Sequence, residues 1–109
     1  MSQSRRLKID ICLLIEQKQI DKINGFDEKS RRITKEKLDT LKEDPFPGKR
    51  GDKEKFCLRG GYILYRLHIG RSWTAFYRIY DKENVVKVLD VMTIEQAHKK
   101  YGRFTSSSE

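Results

Sequence analysis

The chain of 109 residues is poor in everything that staples, kinks or embeds a protein: two cysteines, two prolines, two histidines, and no run free of charge longer than six residues. Each shortage excludes something. A helical crossing of a bilayer needs roughly twenty consecutive apolar residues, so no segment spans a membrane as a helix. The opening Met-Ser-Gln-Ser-Arg-Arg leads into no apolar signal core, and a cytoplasmic protein is expected. Cys12 and Cys57, with His68 and His98, have no zinc-like spacing; the expectation is no metal and two buried, reduced, inert thiols. No repeat or proline-rich linker divides the chain. One domain is expected over residues 1–104, followed by a small, polar, flexible tail from Thr105 to Glu109.

The most local shortage is of acid. From Phe56 to Tyr80 there is no Asp or Glu, although the chain holds 16 of them, and the same stretch carries Arg59, Arg66, His68, Arg71, Arg78 and seven of the eleven aromatic residues. Guanidinium donors interleaved with aromatic faces suit phosphates and stacked bases. The whole chain has a formal net charge of +8, which favours an anionic partner over a role in solubility alone, though both readings stay open.

Patterning divides the chain into a helical first half and a stranded second half. The apolar run Ile9 to Ile15 reads as a short strand leading into a helix, which Asn24-Gly25 should stop in a left-handed turn. A second helix should start near Asp27 or Ser30, turn Ile33, Leu38 and Leu41 inward, and end before Asp44-Pro45, since a residue before proline avoids the helical region. Phe46 to Lys55, with Pro47, Gly48, Gly51 and six charged residues, reads as a loop. Three strands follow, Tyr62 to Ile69, Trp73 to Tyr80 and Val85 to Met92, separated by turns at Gly70-Arg71 and Asp81 to Asn84. Such spacing gives an antiparallel meander, and the fold class is α+β, a helical hairpin packed on a small sheet.

Alternation assigns the faces. Ile63, Tyr65, Leu67 and Ile69, with Trp73, Ala75, Tyr77 and Ile79, should pack on the helices. The opposite face then receives Tyr62, Leu64, Arg66 and His68 from one strand and Thr74, Phe76, Arg78 and Tyr80 from the next. Basic and half aromatic, it reads as a ligand-facing surface; the alternative is that the aromatics are cross-strand pairs and the arginines snorkel over them.

A final short helix is expected over Ile94 to Tyr101. Thr93 and Gln96 can form a reciprocal cap, Glu95 lies in the first turn, Lys99 and Lys100 in the last, and Gly102 ends it. Ile94, Ala97, His98 and Tyr101 share one stripe, which is either packing or the edge of a site.

From about Leu38 to Phe104 the chain resembles the RelE/ParE superfamily of toxin–antitoxin toxins. The resemblance is carried by Leu41 and Asp44-Pro45, Leu58-Arg59-Gly60, Tyr65-Arg66-Leu67-His68-Ile69-Gly70, the aromatic strand reaching Tyr77, and a tyrosine after the last strand. The pair His98 and Tyr101 is similar to the His-x-x-Tyr ending of the HigB-like branch. This resemblance implies a helical hairpin, a meander and a short C-terminal helix, and a basic endoribonuclease that cuts messenger RNA, typically on the ribosome, until an acidic antitoxin captures it. It implies no metal or other cofactor. By position the resemblance makes His98 and Tyr101 the proton-transfer groups and Arg66, His68, Lys99 and Lys100 the phosphate holders; Arg71, in the turn, matches no family position and is expected to contact substrate or ribosome, and Arg78 belongs to the RNA-binding face read from strand alternation.

Tyrosine is a poor base unless neighbouring cations lower its pKa, which the lysines and arginines here could do; histidine needs no such help, and both stay as candidates. One departure is marked. Many ribonuclease members place an arginine where this chain has Thr74, and Met92, Thr93 and Ile94 stand where another cation is common. A positioned arginine beside a phosphorane stabilises it by ~3 kcal/mol. Three classes therefore remain open: an active mRNA endoribonuclease, a weak or inert relative that binds RNA, ribosome or antitoxin, and a ParE-like gyrase inhibitor. The sequence does not indicate an oligomeric state.

Overall fold

The computed structural model describes residues 11–48 and 51–101. Strand β1 (Cys12–Ile15) leads into helix α1 (Gln17–Asn24), and a short turn connects it to α2 (Glu28–Asp39). The Asp27 carboxylate accepts the Ser30 amide at 3.2 Å, which starts α2 and holds the Asp27 carboxyl below its usual range. Helix α1 ends at Asn24-Gly25 as expected, but not in a left-handed turn: Gly25 has φ −87° and ψ −3°. The Gly25 and Phe26 amides bond the carbonyls of Lys22 and Ile23 in a tightened last turn, so the carbonyls are satisfied without reversing the backbone. Left-handed conformations occur instead where strands reverse, at Gly70 with φ 61° and at Asn84 with φ 56°.

A five-stranded sheet follows in the order β1-β5-β4-β3-β2, with β2 (Lys53–Cys57), β3 (Ile63–Ile69), β4 (Trp73–Tyr80) and β5 (Val85–Thr93). The last four form an antiparallel meander, and β1 adds to β5 in parallel. Strand β2 corrects the sequence reading, which had this segment in a loop. Its charged residues hide the alternation, and only pairing with β3, Glu54 opposite Arg66 and Phe56 opposite Leu64, reveals the strand. Both cysteines are exposed, against expectation, because β1 and β2 are the two edges of the sheet.

Face assignments follow the register, with Tyr65 opposite Tyr77, Leu67 opposite Ala75 and Ile69 opposite Trp73. These residues make the main core with Leu38 and Leu41 from the helical layer, and Ile33 packs against it from α2. Two aromatic contacts close the ends. Phe26 stacks on Trp73 at 4.0 Å between centroids, and the buried Tyr77 hydroxyl donates to the Pro45 carbonyl at 2.6 Å, fixing the chain just after the helices. Lys37 of α2 reaches Asp52 at 2.7 Å, linking the hairpin to the start of β2.

Helix α3 (Ile94–Tyr101) lies across the other face. Its cap is the reciprocal one expected, the Thr93 hydroxyl accepting the Gln96 amide at 3.1 Å and Gln96 accepting the Thr93 amide at 3.0 Å. Gly102, the tail from Thr105, and Ile9 lie outside the described residues.

Candidate nucleic-acid interface

The second face of the sheet is less open than alternation suggests. Leu64, Phe76 and Met92 are buried beneath Ala97 and Tyr101 of α3 and form a second, smaller core. Thr74 is also buried, and its hydroxyl donates to the Leu67 carbonyl at 3.1 Å. The position where the sequence resemblance leads one to look for an arginine is thus held by a structural threonine. Of the eight side chains expected on a ligand-facing surface, Tyr62, Arg66, His68, Arg78 and Tyr80 keep access to solvent, because one amphipathic helix covers the middle of the face.

The accessible residues form two clusters on either side of this covered middle. In the first, Arg66 lies 5.5 Å from the Phe56 ring and pairs with Glu54 at 2.7 Å, while His68 approaches the same carboxylate at 3.5 Å and Arg66 at 3.4 Å. The span without acid thus acquires a carboxylate from a neighbouring strand. Sequence reasoning missed Glu54 because it missed β2. In the second cluster the Arg78 guanidinium sits over the Tyr62 ring at 4.2 Å and near Tyr80 at 5.5 Å, presenting stacked, positively charged planes. Lys87, directly opposite Arg78 on β5, pairs with Glu16 at 3.4 Å.

Helix α3 brings the remaining candidates to the border of the face. His98 and Lys99 are exposed, so His98 does not join the packed stripe formed by Ala97 and Tyr101. The Tyr101 ring tilts against Phe76 at 4.4 Å, and its hydroxyl lies 3.4 Å from Asp90. Lys100 donates to the same carboxylate at 2.6 Å. Arg71 is exposed in the β3–β4 turn, beside Ser72, whose carbonyl accepts the first amide of α3 at 2.9 Å; it belongs to the opposite end of that helix from Tyr101.

Asp90 is the residue that organises this border, and it was absent from the sequence-based candidates. A β-bulge directs it inward: Phe76 pairs with Asp90 but Tyr77 pairs with Val88, so Leu89 is an extra residue, and Leu89 packs into the second core. The available signal was a lone acid in the apolar run Val85 to Met92, but simple alternation cannot place a residue beyond a bulge. Asp90 also reverses the expected tuning of Tyr101. Burial first, and then the Asp90 charge, push the phenol above its usual range, outweighing Lys100, so Tyr101 holds its proton more tightly than an exposed tyrosine. The hydrogen bond from Lys100 to Asp90 likewise raises the pKa of the lysine.

Among the described residues no cluster of three His, Cys, Asp or Glu side chains is placed to hold a metal, and no helix is long and apolar enough to cross a membrane. No curated protein sequence matches the chain significantly. The family model for the ParE toxin of type II toxin–antitoxin systems, parDE, matches residues 17–97. In three dimensions the chain is similar to RelE in the archaeal RelE–RelB complex from Pyrococcus horikoshii, with 22% identity, a TM-score of 0.65, and coverage of 78% of this chain and 96% of that one. It is also similar to a double mutant of Escherichia coli RelE in the free state, with 22% identity, a TM-score of 0.61, and coverage of 83% and 90%.

Proposed function

Since this chain belongs to the RelE/ParE superfamily as a toxin of the type II toxin–antitoxin kind, we propose that it acts on messenger RNA as a metal-independent endoribonuclease, with α3 carrying the proton-transfer groups. One observation carries this reading. The helix sets His98, Lys99, Lys100 and Tyr101 along the border of a sheet face whose accessible residues include Arg66, His68 and Arg78. In the proposed reaction a base removes the proton of a ribose 2′-hydroxyl, the oxygen attacks the adjacent phosphorus, and an acid protonates the departing 5′-oxygen, leaving a cyclic phosphate.

The environments divide these roles. Histidine is the side chain suited to accept a proton near neutral pH, and His98 is exposed to a strand passing over α3. Tyr101, with its ionisation suppressed by burial and Asp90, is better suited to donate a proton than to remove one. Lys99, Arg66, His68 and Arg78 would hold the phosphates and flanking bases, with Arg71 an outlying contact. Inhibition of translation on the ribosome is the expected cellular consequence.

The partner expected is an acidic antitoxin, as RelB is the partner of the archaeal RelE neighbour. An apolar groove lined by Leu13, Ile15, Ile20, Ile23 and Leu38 and bordered by Lys35 and Asp39 suits an apolar antitoxin segment. The outer edge of β1, unpaired among the described residues and with Leu14 46% exposed, offers strand addition beside it.

A second reading is favoured by specific pairings. Glu54 engages Arg66, Asp90 engages Lys100, and Thr74 is buried, an arrangement that leaves less free positive charge for a phosphorane and suits a toxin that binds its target without cutting it. End-labelled RNA incubated with purified protein, with and without ribosomes and in the presence of a chelator, decides between them. Cleavage that falls at least ~100-fold in His98→Ala and in Tyr101→Phe, with unchanged thermal melting, supports the nuclease. Salt-sensitive binding without product supports the binder, and inhibition of DNA supercoiling instead of translation would move the protein to the gyrase-inhibiting branch.

A further inference from the structure

We propose that Asp90 is the positioning residue of the α3 border, its buried carboxylate holding Lys100 and Tyr101 on the sheet and tying them through Lys22 to helix α1. The proposal rests on the nuclease reading only for its consequence on RNA; the tether itself is a property of the free chain.

Three observations converge. Asp90 is only 5% exposed, yet it receives donors from both layers: Lys100 at 2.6 Å and Tyr101 at 3.4 Å from α3, and Lys22 at 3.4 Å from α1. Burying a carboxylate is tolerable only with such partners, so the charge demands that these side chains stay in place. Helix α3 also needs this tether, because Ala97 is its one fully buried residue and the apolar grip is correspondingly small.

The third observation is how the tether rounds the edge of the sheet. Strand β1 ends opposite Val88, leaving the outer backbone of β5 uncovered farther on. Side chains of α1 take over there. The Gln19 carbonyl accepts the Val91 amide at 3.0 Å, and Lys22 donates to the Val91 carbonyl at 2.9 Å. Lys22 is thereby fixed at the edge, within reach of Asp90 on the face opposite its own helix. A continuous series of polar contacts runs from α1, over the edge at Val91, to Asp90 and on to Lys100 and Tyr101.

The test uses the full chain without RNA. In Asp90→Asn, amide exchange over Ala97 to Tyr101 should accelerate about tenfold while amides of the β3–β4 pair stay at wild-type rates, since the charge-assisted bonds are local. Tyr101, followed through its ring carbon resonance, should titrate at lower pH once the facing carboxylate is neutral, with Lys100, Lys22 and Tyr62 the other ionisable groups around the pair. That titration reports the Asp90 charge held against the phenol, and the exchange rates report whether the contact holds the helix. Lys100→Met, a change at a mostly exposed side chain, and Lys22→Met, on a different helix, should each accelerate exchange in α3. Wild-type exchange in α3 or an unmoved Tyr101 titration in Asp90→Asn overturns the proposal. Should Asp90→Asn fail to fold, unaltered α3 exchange in Lys100→Met overturns it, and unaltered exchange in Lys22→Met removes the tie to α1. Absence of RNA cleavage by the wild type bears only on the nuclease reading, so the two can fail separately.

Discussion

The two faces of the sheet are built from alternate residues of the same strands, yet they are covered in different ways. Beneath the helical hairpin, Leu67, Ala75, Tyr77 and Val88 are fully buried with Leu41, a continuous core bounded by two helices. Beneath α3, Leu64, Phe76 and Met92 form only a small core, and Tyr62, His68, Arg78 and Tyr80 around it keep access to solvent while Asp90 is buried. A full helical layer fixes the strands; a single short helix leaves room at its borders for polar groups. The larger core lies on one face and the candidate site on the other.

Phe76 and Tyr77 are adjacent in the chain and buried on opposite faces, which makes them the sharpest probes of this difference. Phe76→Ala should cost about 3–5 kcal/mol in urea unfolding by emptying the small core, and should strip amide protection from α3 before it affects α2. Simultaneous loss from both helices would mean that the faces are not separable.

Tyr77→Phe keeps the ring and removes one hydroxyl. It leaves the Pro45 carbonyl without its 2.6 Å donor and should cost about 1–2 kcal/mol by the same measurement. Burial raises the Tyr77 pKa, so the folded chain holds this proton more tightly than the unfolded one. That contribution is complete below the ordinary tyrosine range and is lost as pH rises through the folded value. The alkaline limb of a stability–pH curve should therefore be shallower in Tyr77→Phe than in the wild type.

Asp52 tests the acid side of the hairpin face. The hydrogen bond from Lys37 holds its carboxyl below the usual range, a stabilisation present above the unfolded carboxylate pKa and lost as pH falls through the folded one. Asp52→Asn should lower stability by about 1 kcal/mol at neutral pH, and the gap from the wild type should narrow steadily below about pH 4. A constant gap would show that the pairing contributes nothing through charge. The smallest effect is expected from Gln96→Ala, which removes one half of the α3 cap and should cost about 0.5 kcal/mol, seen as faster exchange at the Thr93 amide.

Much of this organisation was written locally. Asp27 and Thr93 announce their helices because a side-chain oxygen must satisfy the first free amides, and β3, β4 and β5 follow from alternation between defined turns. Helix α2 was legible through Leu38 and the proline after it. Strand β2 was not, since Lys53, Glu54 and Lys55 carry charge on both sides and an edge strand has little apolar pattern to show. The thiols were assigned to the interior from residue type, but edge strands expose them at Cys12 and Cys57.

For the candidate site, the sequence by itself determined the inventory: the basic aromatic span, with Thr74 inside it, and the helix with His98 and Tyr101. Only the tertiary structure decided how those groups are balanced. It set Glu54 on Arg66, turned Asp90 through a bulge onto Lys100 and Tyr101, and raised the Tyr101 pKa where the local abundance of lysine and arginine had suggested lowering it. The reason is physical. Helix caps and strand alternation are settled by neighbours within a few positions, whereas a pKa and an ion pair depend on which distant side chains the fold brings within a few ångströms and on how much water it excludes.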